Sequence, residues 1–161
     1  MPIRFFFSLL NVLTLGACNH LPTPPVSVPF EIATKGATAR IDFRVTEEQQ
    51  YPFYVTTYAD PKDRPPVEYY TEERKKKSVA KAIKLRVVKI EKNNEETVLL
   101  DEEFSNYKET SGGFGKTTYE ITHVKLPRGI YRAYILSLDD IEIHKAANIT
   151  TKFKITQPRS K

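Results

Sequence analysis

The feature that most constrains this fold is a two-residue alternation of apolar and polar side chains. Between Ala37 and Val45, apolar residues occupy every second position, and the positions between them hold Thr38, Arg40, Asp42 and Arg44. Successive side chains of a β-strand point to opposite faces, so this period predicts a strand with one buried face.

The same signal recurs along the chain and predicts an all-β fold. Further strands are predicted at residues 51–57, 82–90, 97–104, 117–126, 130–138 and 149–156. Asn93-Asn94 and Pro127-Arg128-Gly129 supply turn residues between them. About seven short strands separated by turns predict an antiparallel β-sandwich. A Pro-x-Gly turn followed by Tyr131 is typical of an immunoglobulin-like sandwich, so we assign Tyr131 a structural role.

One segment departs from this period and predicts a short helical insertion. Residues 63–81 read DRPPVEYYTEERKKKSVAK, and Pro65 and Pro66 suit a helix start. Glu72 and Glu73 precede Lys76 and Lys77 by four positions, which stabilises a helix surface.

Chain length and composition indicate one domain, predicted at residues 29–157, with residues 158–161 as a C-terminal tail. The chain has 161 residues and a single cysteine, Cys18, so an intramolecular disulfide is excluded. The formal net charge of +5 raises nucleic acid, an anionic membrane or an acidic protein as partners. The location of the protein has to decide among these three.

The N-terminal residues have the architecture of an export signal. Arg4 precedes a largely apolar run at residues 5–15, and the small residues Gly16 and Ala17 follow. This run is too short for a typical membrane-spanning helix. A buried N-terminal helix or strand is the alternative, but the run has no polar face.

Cys18 could be a buried thiol, a catalytic nucleophile or a processing site, and its neighbours favour processing. Leu15-Gly16-Ala17-Cys18 resembles the lipobox of bacterial lipoproteins. The resemblance implies a signal peptide at residues 1–17, cleavage between Ala17 and Cys18, and lipid on Cys18. Two or three acyl chains hold a protein durably at a membrane, because each buried methylene contributes about 0.8 kcal/mol.

Residues 18–28 are then a lipidated cysteine followed by a tether. The tether is rich in proline, which favours an extended backbone. By resemblance to enterobacterial sorting, Asn19 favours the outer membrane over the inner one. The predicted location is the bacterial cell envelope, at the outer membrane facing the periplasm. Nucleic acid and nucleotide are thereby excluded as partners, while the membrane is contacted through the lipid.

Three segments resemble a known family: residues 30–55, 83–104 and 113–140, which begin FEIATKG, IKLRVVK and GFGKTTY. They are similar to the bacterial lipoprotein family called domain of unknown function 5625, over nearly all of residues 29–156. The resemblance implies a periplasm-facing β-sandwich and brings no catalytic residues.

Motifs that could carry chemistry are weak. In Gly112-Gly113-Phe114-Gly115-Lys116-Thr117, a phosphate loop would need glycine at position 110, which is Thr110. His20, His123 and His144 stand in no recognisable catalytic or zinc-binding spacing. The acidic clusters at residues 101–103 and 139–140 are interpreted as solvated surface rather than as acid–base pairs or calcium ligands. No cofactor, metal or catalytic residue is predicted.

The candidate partner-binding residues lie in two places. The first is the basic run Arg74, Lys75, Lys76 and Lys77 with the preceding Tyr69 and Tyr70. The second is Phe114, in a glycine-rich stretch at residues 107–116 that is predicted to be a mobile loop. A solvated helix face is the plain alternative for the basic run. The other interpretations are contact with anionic lipid headgroups or with an acidic protein surface.

The function predicted is that of a non-enzymatic, lipid-anchored periplasmic binding lipoprotein with a protein partner. One form of it is an immunity protein against a secreted antibacterial toxin. The alternative is a structural envelope component that supports an outer-membrane assembly. A hydrolase that uses surface carboxylates is the least favoured hypothesis.

Overall fold

The computed structural model describes residues 20–59, 82–105, 107–113, 115–140 and 149–158. These ranges contain nine β-strands and no helix. The strands are β1 Val26–Pro29, β2 Thr38–Val45, β3 Gln49–Tyr58, β4 Ile83–Ile90, β5 Glu96–Phe104, β6 Lys108–Gly113, β7 Lys116–Leu126, β8 Gly129–Ser137 and β9 Thr150–Ile155.

The strands form two antiparallel sheets that pack as a sandwich. Sheet A has the order β1-β9-β3-β7-β6, and sheet B has the order β2-β8-β4-β5. The connections at residues 46–48 and 127–128 each cross from one sheet to the other. We call the end with these two connections the lower end. The upper end is the one at which β3 finishes with Tyr58 and β7 begins with Lys116.

The core lies between the sheets and is built from the predicted apolar alternation. On β2, Ile41, Phe43 and Val45 are at most 4% exposed, while the residues between them reach solvent. Phe43 stacks on Tyr131 with ring centroids 5.7 Å apart, and Phe53 stacks on Phe153 at 6.2 Å. These pairs join β2 to β8 and β3 to β9, so the ring contacts reinforce neighbours in each sheet.

Two tyrosines fix the lower end by bonding back to the chain four residues earlier. The Tyr131 hydroxyl donates to the Pro127 carbonyl at 2.6 Å, and the Tyr51 hydroxyl donates to the Glu47 carbonyl at 3.0 Å. Burial raises the pKa of Tyr131 to about 12, with smaller contributions from nearby negative charges. The predicted structural role of Tyr131 is confirmed.

The predicted strands match seven of the nine, and the β4–β5 hairpin turns at Asn94 with a φ of 65°. The prediction of a loop at residues 107–116 is wrong, because Lys108–Gly113 pairs with β7 as strand β6. Val26–Pro29, which overlaps the predicted tether, pairs with β9 as strand β1. The predicted helical insertion at residues 63–81 lies wholly outside the described residues.

The outer face of sheet B carries a lattice of ion pairs. Arg132 donates from Nε to Asp42 and from a terminal nitrogen to Glu96, both at 2.8 Å. Arg40 also pairs with Asp42. Burial alone would raise the pKa of Asp42, but the hydrogen bonds from Arg40 and Arg132 outweigh it and lower that pKa. The lattice therefore links β2, β8 and β5 across the sheet.

Replacing Tyr131 tests the corner at the lower end. We expect Tyr131→Phe to lower the free energy of unfolding by about 1–2 kcal/mol at pH 8, because the Pro127 carbonyl loses its donor. The raised pKa favours the neutral phenol in the folded state, so this stabilisation is complete below pH 10 and is lost as the pH rises toward about 12. Urea unfolding of both proteins at several pH values should show their difference narrowing over that interval.

Candidate binding site

The residues singled out from the sequence lie outside the described part of the chain. This holds for the processing site Ala17 and Cys18, for the basic run and its tyrosines at residues 69–77, and for Phe114. The structure therefore leaves these predictions open. The structure does describe the residues that flank segment 60–81 and Phe114.

The flanks of the two predicted binding segments meet at the upper end of sheet A. Ala59, the last described residue before segment 60–81, donates its backbone N–H to the carbonyl of Gly115 at 2.9 Å. Gly115 directly follows Phe114 and precedes Lys116. The last described residue before segment 60–81 is therefore bonded to the β6–β7 turn.

A basic cluster lies on the outer face of sheet A at this same end. Three ammonium groups surround the ring of Tyr58, with Nζ at 6.0 Å from its centroid for Lys116, 5.6 Å for Lys152 and 5.5 Å for Lys154. Lys154 Nζ also donates a hydrogen bond to the Tyr58 hydroxyl at 2.8 Å. We call these four residues the Tyr58 cluster.

Strand register explains why these residues converge. Tyr58 is opposite Lys116 of β7, and Lys152 of β9 is opposite Thr56, two residues earlier on β3. Lys154 is opposite Tyr54, one further step along the same face. Because β-strands repeat every two residues, all of these positions share the outer face of the sheet.

The base of the cluster is closely packed. Thr56 is on the outer face but is fully buried, and its Oγ1 lies 3.2 Å from Oγ1 of Thr118 on β7. Cross-strand threonine pairs of this kind stabilise a sheet locally. The Tyr58 cluster therefore lies on a closely packed part of sheet A.

The charges of the cluster are not neutralised by carboxylates in the described ranges. Among those residues, none of the three lysines forms a salt bridge. Burial alone would raise the pKa of Tyr58, but the hydrogen bond from Lys154 and the three positive charges lower it. The positive charges that lower the pKa of Tyr58 also attract a carboxylate or phosphate group.

The histidines and acidic residues of the described ranges form no recognisable catalytic or metal-binding group. His123 Nε2 lies 3.1 Å from a carboxylate oxygen of Glu120, and His20 is exposed. No group of three or more His, Cys, Asp or Glu among the described residues is placed to hold a metal ion. Nor do those residues form a helix long and apolar enough to cross a membrane.

The Tyr58 cluster was missed by reasoning from the sequence. Its signals are local repeats, Tyr54-x-Thr56-x-Tyr58 and Lys152-x-Lys154, which mark one face of each strand. Their chemistry appears only when β9 pairs with β3, and 96 positions separate the two hydrogen-bonded side chains. The sequence alone did not show which strands are paired.

Titration of the tyrosines tests the electrostatics of the cluster. We expect Tyr58 to deprotonate below its ordinary pKa of 10.0 and before Tyr131, because three ammonium groups favour the phenolate. Its phenolate adds stability above pH 10, and this gain is lost as the pH falls through the lowered pKa. Carbon-13 NMR of labelled tyrosines should show that Lys154→Met raises the pKa of Tyr58. Lys125→Met is the matched control and should leave it unchanged.

Comparison with known proteins agrees with this fold. The family described as domain of unknown function (DUF5625) matches residues 27–157. A crystal structure of a protein from Sulfurospirillum deleyianum is similar with a TM-score of 0.65 and 16% sequence identity, over 84% of this chain and 98% of that chain. No curated protein matches. The match over most of its length shows that the chain belongs to the DUF5625 family.

Proposed function

We propose that the chain is a lipid-anchored lipoprotein of the bacterial envelope that binds an acidic protein surface and catalyses no reaction. The observation that carries the proposal is the Tyr58 cluster, in which three lysines without salt bridges among the described residues surround one aromatic ring. The lipid anchor rests on the lipobox at residues 15–18.

The composition of the cluster suits an interface. Tyrosine is enriched at protein interfaces, and a tyrosine side chain supplies contact area at a small cost in conformational entropy. Lysines at the rim accelerate the approach of an acidic partner and fix its orientation. Ala59, which is bonded to Gly115 near the cluster, directly precedes segment 60–81, whose sequence contains the basic run Arg74 to Lys77.

The course of the tether favours a protein partner over lipid headgroups. The Pro22 carbonyl accepts a hydrogen bond at 2.9 Å from the backbone of Arg44, near the lower end of β2. Cys18 is only four residues before Pro22, which limits its reach to roughly 14 Å. Strand β3 has ten residues, so Tyr58 lies roughly 30 Å from the lower end. The lipid would thus attach near the lower end of the sandwich, about the length of a strand away from the cluster.

We also propose that the sandwich is related to the immunoglobulin fold. The orders β3-β7-β6 and β8-β4-β5 reproduce strands B-E-D and F-C-C′ of that fold. The outer strands are exchanged relative to that fold. In the immunoglobulin fold the first strand lies beside B and the last strand lies beside F. Here the last strand, β9, lies beside β3, and the early strand β2 lies beside β8. The buried Tyr131 on the strand equivalent to F forms the tyrosine corner expected there.

Replacing Cys18 tests the anchor. When the whole chain is produced in a bacterium with two membranes, Cys18→Ser should lose its acyl chains and move from the membrane fraction to the soluble periplasmic fraction. Mass spectrometry of the mature N-terminus and fractionation measure the two effects. A Cys18→Ser protein that stays in the membrane fraction after residues 1–17 have been removed would show that lipid is not the anchor.

Charge reversal tests the binding face. A glutamate-rich peptide should bind the mature chain, and the triple variant Lys116→Glu, Lys152→Glu, Lys154→Glu should weaken binding by about tenfold or more. Fluorescence anisotropy of the labelled peptide measures the affinity at two salt concentrations.

The matched control reverses three exposed basic residues at the lower end: Lys92, Lys125 and Arg128. It changes the net charge equally and should leave most of the peptide affinity intact. Equal losses in both variants would contradict a defined site. Binding to vesicles rich in phosphatidylglycerol that depends on the Tyr58 cluster, without peptide binding, would assign the site to lipid headgroups instead.

A further inference from the structure

The sandwich has four sheet edges, and three of them are covered or short. The edge of β2 is covered at Arg44, whose backbone N–H bonds to the Pro22 carbonyl, and β1 lies against the same strand. Strand β1 has four residues and ends in a proline. Strand β6 has only six residues. Each of these features discourages the addition of another strand.

The fourth edge, β5, is long and exposes apolar side chains. This strand has nine residues, with a register shift at Leu99, and within the described ranges it is hydrogen-bonded only to β4. Val98 and Leu99 are 47% and 40% exposed, and they are the exposed large hydrophobic residues of the described chain. Val98 is opposite Val88, which is fully buried on the outer face of sheet B, outside the main core cluster. An apolar strip therefore reaches the open edge.

The charge on β5 determines what could pair with it. The strand reads ETVLLDEEF and has four acidic and no basic residues. Glu96 is paired with Arg132 at 2.8 Å and Asp101 with Lys84 at 3.0 Å. Glu102 and Glu103 have no salt bridge among the described residues. A second copy would bring two such acidic strands together, so charge repulsion disfavours a homodimer through this edge.

We propose that β5 is a docking edge that takes one extended segment of a partner protein as a fifth strand of sheet B. The backbone groups of the segment pair with the open N–H and C=O groups of β5. Its apolar residues pack on Val98 and Leu99, and its lysines or arginines lie opposite Glu102 and Glu103. This surface is on a different sheet from the Tyr58 cluster and does not depend on it.

The test uses the mature chain and an extended peptide of about ten residues with a valine-rich half, to lie beside Val98 and Leu99, and a lysine-rich half, to lie beside Glu102 and Glu103. The peptide should bind, and amide chemical-shift changes in NMR spectra should centre on β5. The double variant Val98→Lys, Leu99→Lys should weaken binding by about tenfold or more. Both side chains are largely exposed, so circular dichroism should show an unchanged fold.

Three further measurements distinguish binding at the β5 edge from a general electrostatic attraction between the peptide and the protein. Glu102→Gln with Glu103→Gln should weaken binding by about two- to fivefold and reduce its dependence on salt. Thr110→Lys on the exposed edge strand β6 should have no effect. A peptide of the same composition with two prolines at its centre should not bind, because proline removes the backbone donors that pairing requires.

Three results would overturn the proposal. Undiminished binding by the Val98→Lys, Leu99→Lys variant would show that the apolar strip is not the site. Equal binding of the proline-containing peptide would show that strand pairing is not involved. A dimer of the unmodified chain that this double variant converts to a monomer in analytical ultracentrifugation would assign the edge to a second copy.

Discussion

The fold depends on one constraint, which is that each sheet has a single apolar face and must bury it against the other sheet. In the inward register of β2, β3, β4 and β8 nearly every residue is apolar and almost inaccessible to solvent. A one-residue slip in any of these strands would expose its apolar inner face and bury its outer face, which carries charged residues on β2, β4 and β8 and polar residues on β3. The burial pattern therefore fixes the register, and the register then determines which side chains meet on the two outer faces.

The same register determines how the charged side chains are arranged on the two outer faces. On sheet B it places Arg132 between Asp42 and Glu96, so that opposite charges on three strands satisfy one another. On sheet A it places Lys116, Lys152 and Lys154 around Tyr58, where no described carboxylate forms a salt bridge with them. The same geometric rule thus gives a neutralised face and a basic one. The proposed binding function rests on the second of these faces.

Local signals were enough to predict most strands, the turn near Asn94 and the role of Tyr131, because each depends on residues within a few positions. They were insufficient for β6, whose run Lys108–Gly113 has glycines and no apolar alternation, and for β1, whose prolines resemble a tether. The Tyr58 cluster could not be predicted for a different reason. Lys154 and Tyr58 each look like ordinary exposed residues, and only the pairing of distant strands makes them one site.

The two proposed surfaces carry opposite charge and select opposite partners. An acidic surface is attracted to the Tyr58 cluster and repelled by Glu102 and Glu103 on β5, while a basic segment experiences the reverse. In sheet B, β5 is at the opposite edge from β2, where residues 20–25 approach the sandwich. Neither surface is covered by the described part of the tether. A partner that offers an acidic surface and a basic strand could therefore engage both sheets at once, and it would be held in a single orientation.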